Sequence, residues 1–343
     1  MVDVTVRGAG IFGLSIAWVC AKRGARVQVI DPHGAGAGSS GGVVGALAPH
    51  VPENWNPKKA FQLESLLMAE AFWQNVESAA GHPSGYRRSG RVQPVADDSA
   101  LTLARQRALG AEKLWQGQAT WQVRQVADEK WTPLSPSGWL IHDSLSALLH
   151  PRQAIDALVA ALATRGITIT PTGDDLGRVL WATGLHGLER LNAGHHRLVG
   201  TGVKGQAAVL DYDARGAPQL FVDGIHIIPH DNGTVAVGST SERDYKDPTS
   251  TDAQLDGVVA RARDAVPALR EAEVIDQWAG VRPRARSRAP MLGAWPGRDG
   301  QFIANGGFKI GFGMAPKIAE VMADLLLEDV NNIPKGFEVE ASF

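Results

Sequence analysis

Six residues near the start of the chain limit its fold most. Val4-Thr5-Val6 is a short β-branched run, and Gly8-Ala9-Gly10-Ile11-Phe12-Gly13 follows it directly. The stretch from Leu14 to Arg23 is apolar nearly all round, which predicts a buried helix stopped by Gly24. Arg26 to Ile30 alternates as a strand and closes on Asp31. Strand, glycine loop, helix, strand and acid, in that order, are the setting a dinucleotide fingerprint requires. Gly8 permits the tight turn, Gly10 lets backbone amides approach a pyrophosphate, and Gly13 lets the helix pack close on the strand. The unpaired N–H groups and positive dipole end of the helix then face phosphate. Asp31, 18 residues past Gly13, is placed to accept from ribose hydroxyls and disfavours a 2′-phosphate, so NADP is not expected.

The next segment bears on which dinucleotide. Asp31 leads into Gly34-Ala35-Gly36-Ala37-Gly38-Ser39-Ser40-Gly41-Gly42, then Val43-Val44-Gly45-Ala46-Leu47. A minimal NAD domain passes from its second strand into another helix. Here a long loop of small residues intervenes, and long loops without structure are usually functional. Its serines and bare amides suit a second row of contacts along a long ligand; the plainer alternative is a flexible linker.

Composition narrows the class. A length of 343 residues suggests two domains at roughly 150 residues each. An apolar share of 44% with 20% charged residues supplies a core and argues against disorder or a disulfide scaffold. Thirty-four basic against 36 acidic residues leave a net charge of −2, which gives no pull toward nucleic acid or anionic lipid. The single cysteine, Cys20, excludes an internal disulfide and a cysteine metal cage, and fits a reducing compartment. No His/Asp/Glu cluster has ligand spacing, so no metal is expected. No signal peptide is read at Met1-Val2-Asp3-Val4, and no run nears the roughly 20 apolar residues of a membrane span. A cytoplasmic protein is the expectation.

Along the chain, apolar spacing predicts helices over Lys58–Ala80, Ala100–Trp115, Pro151–Arg165 and about Thr251–Val266. Strands are expected around Tyr86–Val95, Ile167–Thr170, Arg178–Gly184, Val203–Leu210, Gln219–Val222, Ile225–Ile228, Thr234–Gly238 and Val274–Ala279. Asp231-Asn232-Gly233 marks a hairpin. The expected fold class is α/β plus α+β: a Rossmann-type nucleotide domain interrupted by an antiparallel-sheet domain. The expected division assigns 1–50, 145–200 and 278–343 to the first and 51–144 and 201–277 to the second.

These segments together resemble the FAD-dependent amino-acid oxidoreductases of the D-amino-acid oxidase, glycine oxidase and sarcosine oxidase group, and most closely the glycine-oxidase-like members. Val179–Gly184 resembles the strand of the family's second flavin contact. Ile227-Ile228-Pro229-His230 with Gly233 and Val237-Gly238-Ser239-Thr240 resembles its substrate-domain hairpin. Trp278-Ala279-Gly280-Val281-Arg282-Pro283 with Pro290-Met291-Leu292-Gly293 resembles its arginine–proline segment. Gly306-Gly307-Phe308-Lys309-Ile310-Gly311-Phe312-Gly313 resembles the closing flavin loop before the last helix.

The resemblance implies FAD held at Gly8, Gly10, Ile11, Phe12, Gly13, Asp31, Ser39, Ser40, Val44, Gly45, Ala46, Gly184, Gly307, Phe308, Ile310, Gly311, Phe312 and Gly313. It implies oxidative deamination of a small amino acid or amine acid, with hydride transfer from Cα to flavin N5 and oxygen as acceptor. Arg282 is expected to hold the substrate carboxylate through its planar fork, with Lys309 beside it or next to the reduced flavin. No side chain is expected as acid or base. His226 stands where the family has a tyrosine and is expected in the substrate site, donating to the carboxylate or lining the pocket; Tyr245, just beyond the hairpin, could substitute from a loop. Arg282, Arg284, Arg286 and Arg288 would share one face of an extended strand, read first as a solvated or oligomer-facing stripe and alternatively as bringing a second arginine to the site for an acidic substrate. No cysteine lies near the arginine–proline segment, so FAD is expected to be non-covalent. Left open are a dehydrogenase passing electrons to a quinone or carrier, a flavin domain in tRNA wobble modification, a dead site, and a homo-oligomer.

Overall fold

The computed structural model describes residues 1–127 and 129–343. Val4–Arg7 forms the first strand and the helix Ile11–Lys22 rises directly from the glycine turn. Eleven of that helix's twelve residues are buried, which is why its sequence carries no polar face. It packs against Pro151–Ala163 on one side and Gly311–Glu328 on the other.

A six-stranded sheet has the order Met291–Ala294, Gln301–Asn305, Arg178–Trp181, Val4–Arg7, Val27–Ile30, Ile169–Thr170. All pairs are parallel except Met291–Ala294 with Gln301–Asn305. The chain runs from Val4–Arg7 to a neighbour on one side and later returns to Arg178–Trp181 on the other. That reversal opens a crevice at the carboxyl ends of these strands, where open α/β sheets bind ligands.

An eight-stranded sheet has the order Val274–Ala285, Gly200–Asp211, Thr234–Gly238, Ile225–Pro229, Gln219–Val222, Arg91–Pro94, Trp139–Asp143, Trp121–Gln125. It is antiparallel apart from the pairing of Gln219–Val222 with Arg91–Pro94. The expected hairpin is present: Pro229 pairs with Val235, and the His230 N–H donates to the Thr234 carbonyl at 2.8 Å across the Asp-Asn-Gly turn. Helix Ala253–Ala265 covers one face through Leu255, Val258, Val259 and Ala262. The other face meets Val43 and Leu148, so the central strands are buried on both faces.

Four strands of these two sheets were not expected from the sequence, Trp121–Gln125, Trp139–Asp143, Met291–Ala294 and Gln301–Asn305, and two expected elements take another form. Val274–Ala285 is twice the expected length because it pairs along Gly200 to Leu210 of the neighbouring strand. Gly184 ends no strand; it begins a helix, Gly184–Ala193, buried through Leu188 and Leu191. Among the described residues, no helix is long and apolar enough to cross a membrane.

Candidate active site

A cavity of about 1140 Å³ runs from the glycine turn to the face of the eight-stranded sheet. That is larger than the ~300–1,000 Å³ typical of a small-ligand pocket, and its length suits a dinucleotide with a second, smaller ligand.

The nucleotide end is built from close backbone approaches. A Cβ on Gly13 would stand 1.9 Å from the Gly8 carbonyl oxygen, so only glycine lets the helix begin this near the strand. Asp31 accepts from the Ala9 N–H at 2.7 Å and from the His33 N–H at 2.9 Å, which ties the acid to the turn. Ser40 Oγ accepts from the Ile11 N–H at 3.0 Å. Three helices start on the cavity wall, at Ile11, Gly184 and Gly311. None has an acidic residue in its first turn. Their converging positive ends favour an anionic ligand.

Of the expected residues, Gly8, Gly10, Ile11, Phe12, Asp31, Ser39, Ser40, Val44, Gly45, Ala46, Gly184, Gly307, Phe308, Gly311 and Phe312 line this cavity, as do Arg282, Lys309 and His226. Gly13, Ile310 and Gly313 do not. Gly13 is consumed in helix–strand packing, Ile310 packs against the core as the cap of the last helix, and Gly313 faces Leu66 and Leu47.

The far end is cationic. Arg282 is 7% exposed, and its Nη2 donates to Ser239 Oγ at 2.8 Å and to the Thr240 carbonyl at 3.1 Å. Its Nη1 is buried without a hydrogen-bond partner. Burial draws its pKa down to about 10, against the pull of Glu242. Lys309 is lowered chiefly by burial and then by Arg282 and Arg284. Among the described residues, neither Arg282 nor Lys309 forms an ion pair. The Lys309 ammonium lies 5.7 Å from the Phe308 ring centroid, and Phe308 itself is held at φ +45°. A non-glycine residue there costs about 1–3 kcal/mol and turns the loop so that Lys309 faces the cavity.

His226 lines the wall as an uncharged ring. Burial first, then Arg91 and Lys309, push its pKa down to about 3. Its ring centroid is 4.7 Å from that of Phe221, and its buried Nδ1 has no partner. Tyr245 is absent from the wall; a Cβ on Gly202 would meet its hydroxyl at 2.8 Å. The arginines do not form one stripe. Arg284 lies over Phe308 with Cζ 5.3 Å from the ring centroid, Arg286 donates to the Phe343 carbonyl, and Arg288 sits beyond the strand at φ +62°. Cys20 is fully buried in the first helix, where burial pushes its thiol up to about 12.

Sequence reasoning missed Gly205, Ser239 as a partner of Arg282, and Trp278, whose ring would meet a Cβ on Gly42 at 3.4 Å. Ser239 and Trp278 lay inside quoted motifs, but their roles depend on which segments lie opposite.

The model for the family described as FAD dependent oxidoreductase matches residues 3–325. The chain belongs to that family. The oxidoreductase is 23% identical to a glycine oxidase from Geobacillus kaustophilus over 94% of this chain and 92% of the relative. It is 32% identical to a glycine oxidase from Pseudomonas aeruginosa over 36% of this chain and 34% of that protein. Among solved structures, glycine oxidase from Geobacillus kaustophilus superposes with a TM-score of 0.85 at 20% identity, over 98% of each chain. Iminodiacetate oxidase from Chelativorans gives 0.82 at 20% identity, over 97% of each. The oxidoreductase is thus an FAD-dependent enzyme with a glycine-oxidase-like fold, and its cavity fits that cofactor: three helix ends, a glycine turn and Asp31 face a space long enough for it.

Proposed function

We propose that the enzyme oxidises a small amino acid or secondary amine acid at its CH–NH bond, using non-covalent FAD and dioxygen. When bound, FAD supplies the two-electron acceptor for the substrate's Cα–H bond. The product imine would hydrolyse to a 2-oxo acid or glyoxylate and free amine, with dioxygen reduced to hydrogen peroxide.

One observation carries this reading: a buried guanidinium that lacks a partner at Nη1, beside an unpaired ammonium, at the end of the flavin cavity. A buried cation of this kind demands an anion, and a carboxylate matches the planar fork. Arg282 would fix the carboxylate's position and orientation, so that little beyond geometry is asked of the chemical step. Lys309 would add charge on the same side. His226, being uncharged, would form part of the wall, and no side chain would act as general acid or base. Glycine oxidases among the relatives are consistent with this substrate class.

Replacing Arg282 tests the reading. Loss of one charge-assisted contact of about 1.5–3 kcal/mol should lower kcat/KM by about 10- to 150-fold in Arg282→Met, with flavin content retained. An unchanged kcat/KM for every amino-acid substrate would overturn it.

A further inference from the structure

Arg282 ends a buried polar chain that none of these roles uses. Gln206 is fully buried, and its Nε2 donates to Glu242 Oε1 at 3.1 Å and to Asp252 Oδ1 at 2.9 Å. Thr240 Oγ1 donates a short hydrogen bond to the same Glu242 oxygen, while the Thr240 carbonyl accepts from Arg282. Lys204, 2% exposed, stands 3.9 Å from the other Glu242 oxygen. Glu242 is itself only 8% exposed.

We propose that Glu242 is a positioning residue for the substrate carboxylate: it fixes Arg282 through Thr240 and supplies the negative charge that the buried guanidinium otherwise lacks. The inference rests on Arg282 being the carboxylate anchor. Its physical basis is that a buried charge is costly unless compensated, and that removing a compensating partner costs more than the pair contributes. The groups around Arg282 otherwise leave it uncompensated. Lys309 comes from the loop after Asn305, Arg284 from its own strand, and His226, uncharged, from Ile225–Pro229. Lys204 comes from the neighbouring strand, and Asp252 is tied to Gln206 at the start of Ala253–Ala265. Glu242 works against the burial that lowers the pKa of Arg282 to about 10. Carboxylate binding should therefore weaken as alkaline pH takes charge from this cationic end, Lys309 included, and without Glu242 the loss should begin at lower pH.

The experiment is a titration of the FAD-loaded enzyme with acetate, read by calorimetry from neutral to alkaline pH. Glu242→Gln should weaken acetate by about tenfold and move the alkaline limb to lower pH. Glu242→Asp should restore most of both. Lys204→Met, which frees Glu242 of a competing cation, should move the limb to higher pH, and it decides the matter alone if Glu242→Gln does not fold. Flavin-loaded variants with unchanged acetate affinity and limb would overturn the proposal, as would limbs moving in the same direction in Glu242→Gln and Lys204→Met. If wild type does not bind acetate and Arg282→Met changes nothing, the reading of Arg282 fails first and takes this inference with it.

Discussion

The Arg282 guanidinium has its seat because residue 205 lacks a side chain. A Cβ on Gly205 would fall 1.3 Å from Arg282 Nη2. The clash is with the far end of a flexible side chain, so Gly205→Ala should displace the guanidinium and leave the sheet intact. The expected outcome is kcat/KM lowered by roughly tenfold or more, with wild-type flavin content. A variant that keeps full kcat/KM would show that Arg282 does not need this pose. Arg282 and Lys309 were legible as residues because each lies inside a motif. Gly205 and Glu242 were not, since their importance follows from the register that sets Arg282 opposite Val203. The arginine stripe failed for a similar reason: alternation holds only while a strand continues, and this one ends at Ala285. His226 was legible as a position but not as a charge state, which burial sets.

At the level of elements, the contact between the first strand and the first helix is the most exacting. Gly13→Ala would drive a methyl group against the Gly8 carbonyl, a backbone atom that cannot swing aside. We expect a loss of about 1–3 kcal/mol, read as a lower melting temperature of the apoprotein, and purification with little bound flavin. A stable, fully yellow variant would contradict the packing described. The long helices were readable from periodicity, but four sheet strands were not, and side-chain caps set two helix starts earlier than expected. Pro57–Ala80 begins at Asn56, whose side chain accepts from the Lys59 N–H, and Asp98–Trp115 begins at Asp97, which accepts from the Ala100 N–H. Helix Gly184–Ala193 was unreadable because two of its first four residues are glycine, which weakens any local helix signal. Leu188 and Leu191, packed against Val199 and Ile303, hold it in place.

For the whole molecule, the sequence carried the mostly parallel sheet, the mostly antiparallel sheet and the FAD family, because its motifs stand in one order along the chain. The cavity between the sheets was beyond it, as was the convergence of three helix ends, since both depend on how separated segments pack. The resulting enzyme has a nucleotide-fitting end with positive helix termini and a far end with two cations that form no ion pair among the described residues. Its reaction can be read directly from the flavin's colour. Purified enzyme, mixed without air with glycine, sarcosine and D-amino acids in turn, should lose its visible flavin absorbance with at least one of them and regain it when air is admitted. A yellow protein whose absorbance no amino acid or secondary amine acid lowers would contradict the proposed reaction.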